Sequence, residues 1–391
     1  TSHFAGIVPC GPARTTMLTG LYPFIHRSVT NGAPLDKRFT NIAKEARKIG
    51  YDPKLYGYTD TSWDPRYLDP EDEKNFTYES PMEGFDSVCH LPQGNPVTWA
   101  NYLNKNGFKI KDAKDLYQDR KPEKGIGFIH KPFDIPTEHS DSSFLTNELI
   151  EDLKSTNDPF FIHISFLKPH PPMCVSEPWH SLINPDDIDL PFMEKTIEEM
   201  SDQHPVFKEI LKKYTNEDNF SEIRFSDLNE KDIRNIKSVY FGMCAEVDNN
   251  IGKIIQALKE NKHYENTMIV FTSDHGEMLG ENRQWGKLGW WDASFRIPLI
   301  IHIPGEKEQK INNFTESVDI APTILDWLET EIPTDWNGQS LIPIIKNSPH
   351  KASPKEYVIF DCDFRENHYT SFVKNKELAP EECNLSVIRT K

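Results

Sequence analysis

A chain of 391 residues, 37% of them hydrophobic, can bury a sizeable core in one large α/β domain, or in a large domain followed by a small one. Its formal net charge of -17 excludes nucleic acid and anionic membranes as the main partners, so an anionic substrate needs a local cationic cluster. The 6 scattered cysteines lack a CxxC pair and exclude a disulfide framework, and no apolar run is long enough to span a membrane.

The sequence opens at Thr1 without an initiator Met, enters a motif at once, and closes in a strand-like run at 386–391. It therefore reads as an internal piece of a longer protein. The first motif is Cys10-Gly11-Pro12-Ala13-Arg14-Thr15-Thr16-Met17-Leu18-Thr19-Gly20. Pro12 suits a first helical turn and Gly20 a helix stop. Cys10 then sits at a helix N-terminus, where free N–H groups and the helix dipole favour an anion. Arg14 lies one turn on along the same face. Spacing alone fits equally well a capped helix with a buried Cys and a surface Arg.

Residues 41–49 read as a short helix and 54–58 as a strand. The stretch 60–140 is rich in Pro, Asp, Asn and Gly and reads as a long functional loop region with short helices. A helical pattern over 142–154 leads to the apolar run 159–166, PFFIHISF, a predicted buried strand. Directly after it, Lys168-Pro169-His170-Pro171-Pro172 holds a histidine between prolines, which stiffen the backbone. By spacing alone a structural His serves as well there as a catalytic one. Residues 180–230 are charged and irregular.

The clearest helix covers 232–258, with Ile236, Tyr240, Cys244, Val247, Ile251, Ile254 and Leu258 on one face. The run 267–271, TMIVF, is a second predicted buried strand, entering Thr272-Ser273-Asp274-His275-Gly276-Glu277. Ligands of α/β sheets bind beyond the carboxyl ends of strands, and an adjacent Asp–His pair there suits a divalent ion. Gly280, Gly286 and Gly289 make the next loop pliant around Lys287. A third strand at 298–303 and a helix opened by Pro322 follow. Together these elements predict an α/β fold with a mostly parallel central sheet covered by helices on both faces. Residues 1–330 form its main domain, and 331–391 begin a smaller C-terminal subdomain.

The first motif resembles the sulfatase signature C-x-P-x-R followed by T-G, with every fixed position filled. The resemblance implies an alkaline phosphatase-like fold and a Cys10 oxidised to formylglycine by a formylglycine-generating enzyme. One hydroxyl of the hydrated aldehyde, activated by a metal, attacks sulfur or phosphorus; the second later expels the bound group. Segment 272–287 resembles the family's second signature. That implies Asp274, His275 and the modified Cys10 as metal ligands and Lys287 as an anion clamp. The resemblance also implies catalytic roles for Arg14 and for His170, an imidazole near neutral pKa that binds substrate or protonates the leaving oxygen.

The stretches VPCGPARTTMLTGLYP, HRSVTNGAPLD, GYDPKLYGYTDTSWDP, KPHPP and GKLGWWDASFRIPLII are similar to bacterial phosphonate monoester hydrolases, which also act on phosphodiesters. Under that resemblance Asn31 and Tyr58 line the substrate pocket. Asp60 departs from the pattern, which has a small hydroxyl residue there. A carboxylate beside an anion either faces away or alters specificity. The family's first metal-binding carboxylate lies on a central strand upstream of the Cys motif. Without it, the metal should be under-coordinated and the sheet should expose two apolar edges.

The function so implied is hydrolysis of phosphonate monoesters and phosphodiesters. A sulfate-ester hydrolase of the same mechanism is the alternative, and a non-catalytic anion-binding homologue the remote one. The implied cofactor is one divalent ion, manganese, zinc or calcium, with His275 favouring the first two. A homo-oligomer in the cytoplasm is expected.

Overall fold

The computed structural model describes residues 2–120, 128–193, 196–216, 228–346, 354–365 and 369–391. After the short strand β1 (His3–Phe4), helix α1 (Cys10–Thr19) runs with all its residues buried. Polar groups in so dry a helix need partners. The hydroxyls of Thr15, Thr16 and Thr19 each donate one turn back, to the carbonyls of Gly11 (2.9 Å), Pro12 (3.1 Å) and Thr15 (2.7 Å). Gly20 ends the helix at φ 63°, in the left-handed region that glycine tolerates.

Next come α2 (Pro23–His26), α3 (Ile42–Lys48), β2 (Pro53–Gly57), β3 (Asp86–His90), α4 (Val97–Lys105), α5 (Asp141–Ser155) and β4 (Phe161–Ile164). Strands β3, β2 and β4 form a parallel sheet in that order, with His163 of β4 opposite Leu55. The second half brings α6 (Ile197–Ser201), α7 (Pro205–Asn216), α8 (Glu230–Glu260), β5 (Ile269–Thr272), α9 (Asp292–Phe295), β6 (Arg296–Ile297) and β7 (Leu299–His302). It continues with β8 (Thr315–Glu316), α10 (Ile320–Trp327), α11 (Ile342–Ile345), β9 (Tyr357–Asp363), α12 (Thr370–Lys376) and β10 (Asn384–Thr390). β1 pairs parallel to β8 and antiparallel to β6, while β5–β7 and β9–β10 are antiparallel pairs.

Strands β4 and β5 are the apolar runs read from the sequence, but they are half-buried where full burial was expected. The cause is pairing: among the described residues each forms a ladder on one side only, β4 with β2 and β5 with β7. The irregular stretches also hold more structure than expected, namely β3 in 60–140 and α7 in 180–230. Their segments 121–127 and 217–227 lie outside the described residues.

Helix α8 starts on a reciprocal cap between Asn229 and Asp232. Its deepest stripe is Ile233, Ile236, Val239, Met243, Glu246 and Asn250, rotated from the predicted face, on which Tyr240, Cys244, Ile251 and Ile254 are half-buried. The C-terminal strands pack back onto the body. The Asp361 N–H donates to the Gly6 carbonyl at 2.9 Å, and Phe360 stacks on Phe295 with centroids 4.2 Å apart.

Candidate active site

Four segments meet at the start of α1: the loops after β2, β4 and β5, and the loop containing Asn31. The first N–H groups of a helix have no partner within it. That of Gly11 donates to Asn31 Oδ1 at 2.9 Å. A Cβ on Gly11 would lie 2.5 Å from the Asp60 carbonyl oxygen, so close approach restricts this position to glycine. Cys10 is only 2% exposed. Its Sγ lies 3.2 Å from His275 Nε2 and accepts from Lys287 Nζ at 3.1 Å. Burial pushes the thiol up, but the charges of Lys287 and His275 outweigh burial and Asp274, and hold it well below the ordinary thiol value.

Arg14, one turn into α1, donates through Nε to Asp274 Oδ2 at 3.0 Å and through Nη1 to the Tyr58 carbonyl at 3.4 Å. Its guanidinium lies over the Tyr58 ring, 4.6 Å from the centroid. Burial would raise the Asp274 carboxyl, but His275, Arg14 and Lys287 hold it well below the usual carboxylate range. The other Asp274 oxygen accepts the His275 backbone N–H at 2.9 Å. Burial would lower the His275 pKa, but Asp274 and Cys10 raise it; Nδ1 donates to the Gly276 carbonyl at 2.8 Å, so Nε2 is the nitrogen that faces the site and would bind an ion once deprotonated.

Cys10 Sγ, an Asp274 oxygen and His275 Nε2 all lie within 4.8 Å of one another. Hard oxygen, borderline nitrogen and an atom standing where a formylglycine oxygen would lie suit a divalent ion. These three donors fit a divalent ion in kind, and no further carboxylate joins them among the described residues, so the set is short of one protein ligand as the sequence led one to expect.

His170 follows β4. Its Nδ1 donates to the Pro171 carbonyl at 2.7 Å, and its Nε2 lies 3.3 Å from Lys287 Nζ. Burial, reinforced by Lys287, lowers its pKa, so the free site holds a neutral imidazole that accepts from the Lys287 ammonium. The shift is downward from the ordinary imidazole value, first because the ring is buried and then because Lys287 sits beside it. Two residues upstream, the buried Lys168 ammonium bonds the Asp141 carboxylate and lies 3.4 Å from Glu246 Oε2. That bond anchors the proline-rich loop to α5 and α8.

Seven predicted residues, Cys10, Arg14, Tyr58, His170, Asp274, His275 and Lys287, are linked by these contacts, and Asn31 is tied in through Gly11. The hydrogen bonds of Asn31 and Tyr58 go to Gly11 and Arg14 rather than to Cys10. Asp60 does not face away: it is buried, within electrostatic reach of Cys10, Arg14 and Lys287, and burial raises its pKa to about 7. Glu277 was passed over in the sequence, although it completes the Asp-His-Gly-Glu run. Its Oε1 accepts the Gly286 N–H and, at 3.5 Å, the Leu279 N–H, bracing the hairpin that presents Lys287.

Comparisons with known proteins place the chain in a family. The sulfatase family model matches residues 1–330. The multifunctional alkaline phosphatase superfamily protein PehA of Trinickia caryophylli is 35% identical over 397 residues, covering 99% of this chain and 76% of PehA. Arylsulfatase K of Canis lupus familiaris is 27% identical over 354 residues, covering 86% of this chain and 57% of that protein. The phosphonate monoester hydrolase SpPMH from Silicibacter pomeroyi superposes with a TM-score of 0.91 at 35% identity, over 100% of this chain and 77% of that one. The phosphonate monoester hydrolase of Agrobacterium radiobacter gives a TM-score of 0.91 at 34% identity, over 100% of this chain and 78% of its own.

Proposed function

The chain belongs to the sulfatase family, and from that premise we propose that it hydrolyses phosphonate monoesters and phosphodiesters with Cys10 as the formylglycine nucleophile. The observation that carries this reading is the approach of His275 Nε2 (3.2 Å) and Lys287 Nζ (3.1 Å) to one buried sulfur at a helix N-terminus. There an imidazole and an ammonium approach one nucleophilic atom at the start of a helix. The similarity to two phosphonate monoester hydrolases along the whole chain supports the substrate class.

Asp274, His275 and the modified Cys10 would hold a divalent ion, and the nitrogen donor favours manganese or zinc. When bound, it supplies a Lewis acid that makes a formylglycine hydroxyl nucleophilic at neutral pH. Arg14 keeps Asp274 ionised and oriented. Lys287 binds a non-bridging oxygen of the substrate and stabilises the charge that develops there. Lys287 and His170 share a proton across 3.3 Å, and this pair protonates the departing alkoxide. Asn31 and Tyr58 shape the pocket wall. Residues 1–330 carry this chemistry, and 331–391 begin a smaller subdomain; a homo-oligomer in the cytoplasm completes the reading.

Sulfate ester hydrolysis is the second reading, favoured by the 27% identity to an arylsulfatase. The test is kcat/KM for one aryl leaving group carried as a phosphonate monoester, a phosphodiester and a sulfate monoester, on protein made with a formylglycine-generating enzyme. A lead of more than about tenfold for the phosphorus esters, ~1.4 kcal/mol in transition-state binding, supports the first reading. The same lead for the sulfate ester overturns it.

A further inference from the structure

Asp60 stands out among the buried polar groups of the site. Its backbone is clamped: the carbonyl accepts the Gly32 N–H at 3.1 Å and abuts Gly11, and φ is 60°. The residue is only 3% exposed, and among the described residues its carboxylate takes no hydrogen bond and no ion pair.

The neighbours are already committed. The Thr59 hydroxyl pairs with Thr61 at 3.0 Å and donates to the Ser80 carbonyl at 2.9 Å. Arg14 serves Asp274 and Tyr58, and Lys287 serves Cys10 and His170. Asp60 also lies outside the metal-holding group Cys10, Asp274 and His275. A carboxylate in a site wall without a protein partner is available to a donor on the ligand. The reacting centre of an ionised ester offers oxygens that only accept, so it cannot serve an ionised carboxylate. The donor has to come from the organic part of the substrate.

We propose that Asp60 is a substrate-recognition residue that selects esters whose non-reacting organic arm presents a hydrogen-bond donor, an ammonium above all. This rests on the hydrolase reading above and names its substrate class more narrowly. Sites built to bond a donor reject analogues that lack it far more strongly than apolar pockets reject a missing methylene.

The test uses metal-loaded, formylglycine-bearing enzyme and three aryl phosphonate monoesters with the same leaving group. Their phosphorus-bound arms are propyl, hydroxyethyl and aminoethyl. The variants are Asp60→Asn and Asp60→Gly, residue types that both tolerate positive φ, so either can report if the other misfolds. For the wild type, kcat/KM should be at least about tenfold higher for the aminoethyl than for the propyl ester. In Asp60→Gly that preference should vanish. Asp60→Asn should lose the ammonium preference while still favouring hydroxyethyl over propyl. Equal use of the three arms by the wild type, or an unchanged preference in either variant, overturns the assignment. Failure of the wild type to turn over any phosphorus ester, with a sulfate ester cleaved, sinks the phosphorus-ester reading instead.

Discussion

Lys287 Nζ donates to Cys10 Sγ across 3.1 Å although 277 positions separate the two in sequence. The ammonium is 1% exposed and also reaches His170 Nε2, so it is held over the nucleophile before any substrate arrives. Such a donor acts by preorganised electrostatics. Lys287→Met keeps the stem and removes the charge. It should lower kcat by roughly 100- to 1,000-fold, the scale for losing one charge-stabilising donor, while far-UV dichroism stays unchanged. A loss confined to KM would mean that Lys287 binds ground state and transition state alike.

The Arg14–Asp274 pair couples stability to metal. Both side chains are largely buried, and Nε and Oδ2 are 3.0 Å apart. Breaking a buried pair by removing one partner costs roughly 3–5 kcal/mol, because the other charge is left uncompensated. Arg14→Met should therefore lower the Tm of the metal-free protein. A divalent ion then supplies the missing positive charge to Asp274. The rise in Tm on adding manganese or zinc should consequently be larger in Arg14→Met than in the wild type. Equal rises would show that the ion does not reach Asp274.

Lys168 is a structural cation with a functional neighbour. It neutralises Asp141 and lies 3.4 Å from Glu246, which is 0% exposed, and it sits two residues before His170. Lys168→Met leaves both carboxylates buried and should destabilise by roughly 3–5 kcal/mol in urea unfolding. Glu246→Gln retains an acceptor and leaves the Asp141 bond intact, so it should stay folded. In that variant a fall in kcat with KM kept would show that the Lys168 anchor positions His170. Unchanged kcat would confine the network to stability.

These pairs mark where sequence reading stops. The start and end of α1 were legible because Pro12 and Gly20 are local signals, and Asp274-His275 because an apolar run delivers them to a strand end. The buried face of α8 was not, because its deepest stripe includes Glu246 and Asn250. Hydropathy assigns both outward, yet Glu246 accepts from the Ser140 hydroxyl and faces the Lys168 ammonium at 3.4 Å, both from elements far away in sequence. β3 escaped notice for the opposite reason. It is an edge strand of sequence Asp86-Ser87-Val88-Cys89-His90, mostly exposed, so it carries no apolar alternation. His170 was located by its prolines. The direction of its pKa was not legible, since Lys287 stands 117 residues away.

His26 gives the fold an acid sensitivity independent of the active site. It is 3% exposed, its Nδ1 accepts the Ser28 N–H at 3.0 Å, and its Nε2 pairs with the Thr16 hydroxyl at 2.9 Å. That hydroxyl donates to the Pro12 carbonyl at 3.1 Å, so it accepts from Nε2–H, and the ring is locked in one neutral tautomer. A proton on Nδ1 would face the Ser28 N–H. Burial accordingly holds the pKa near 3 against 6.5 for a free imidazole. Between those values the unfolded chain binds a proton that the native chain does not, so stability falls as pH falls, by ~1.4 kcal/mol per pH unit for this one group. His26→Gln does not titrate. It should be less stable than the wild type at about pH 7.5, and by linkage that gap should narrow by ~1.4 kcal/mol at about pH 5.5. Urea unfolding curves at the two pH values measure it. A gap of constant size would mean that His26 is protonated in the native state, and that Thr16 and Ser28 do not hold it neutral.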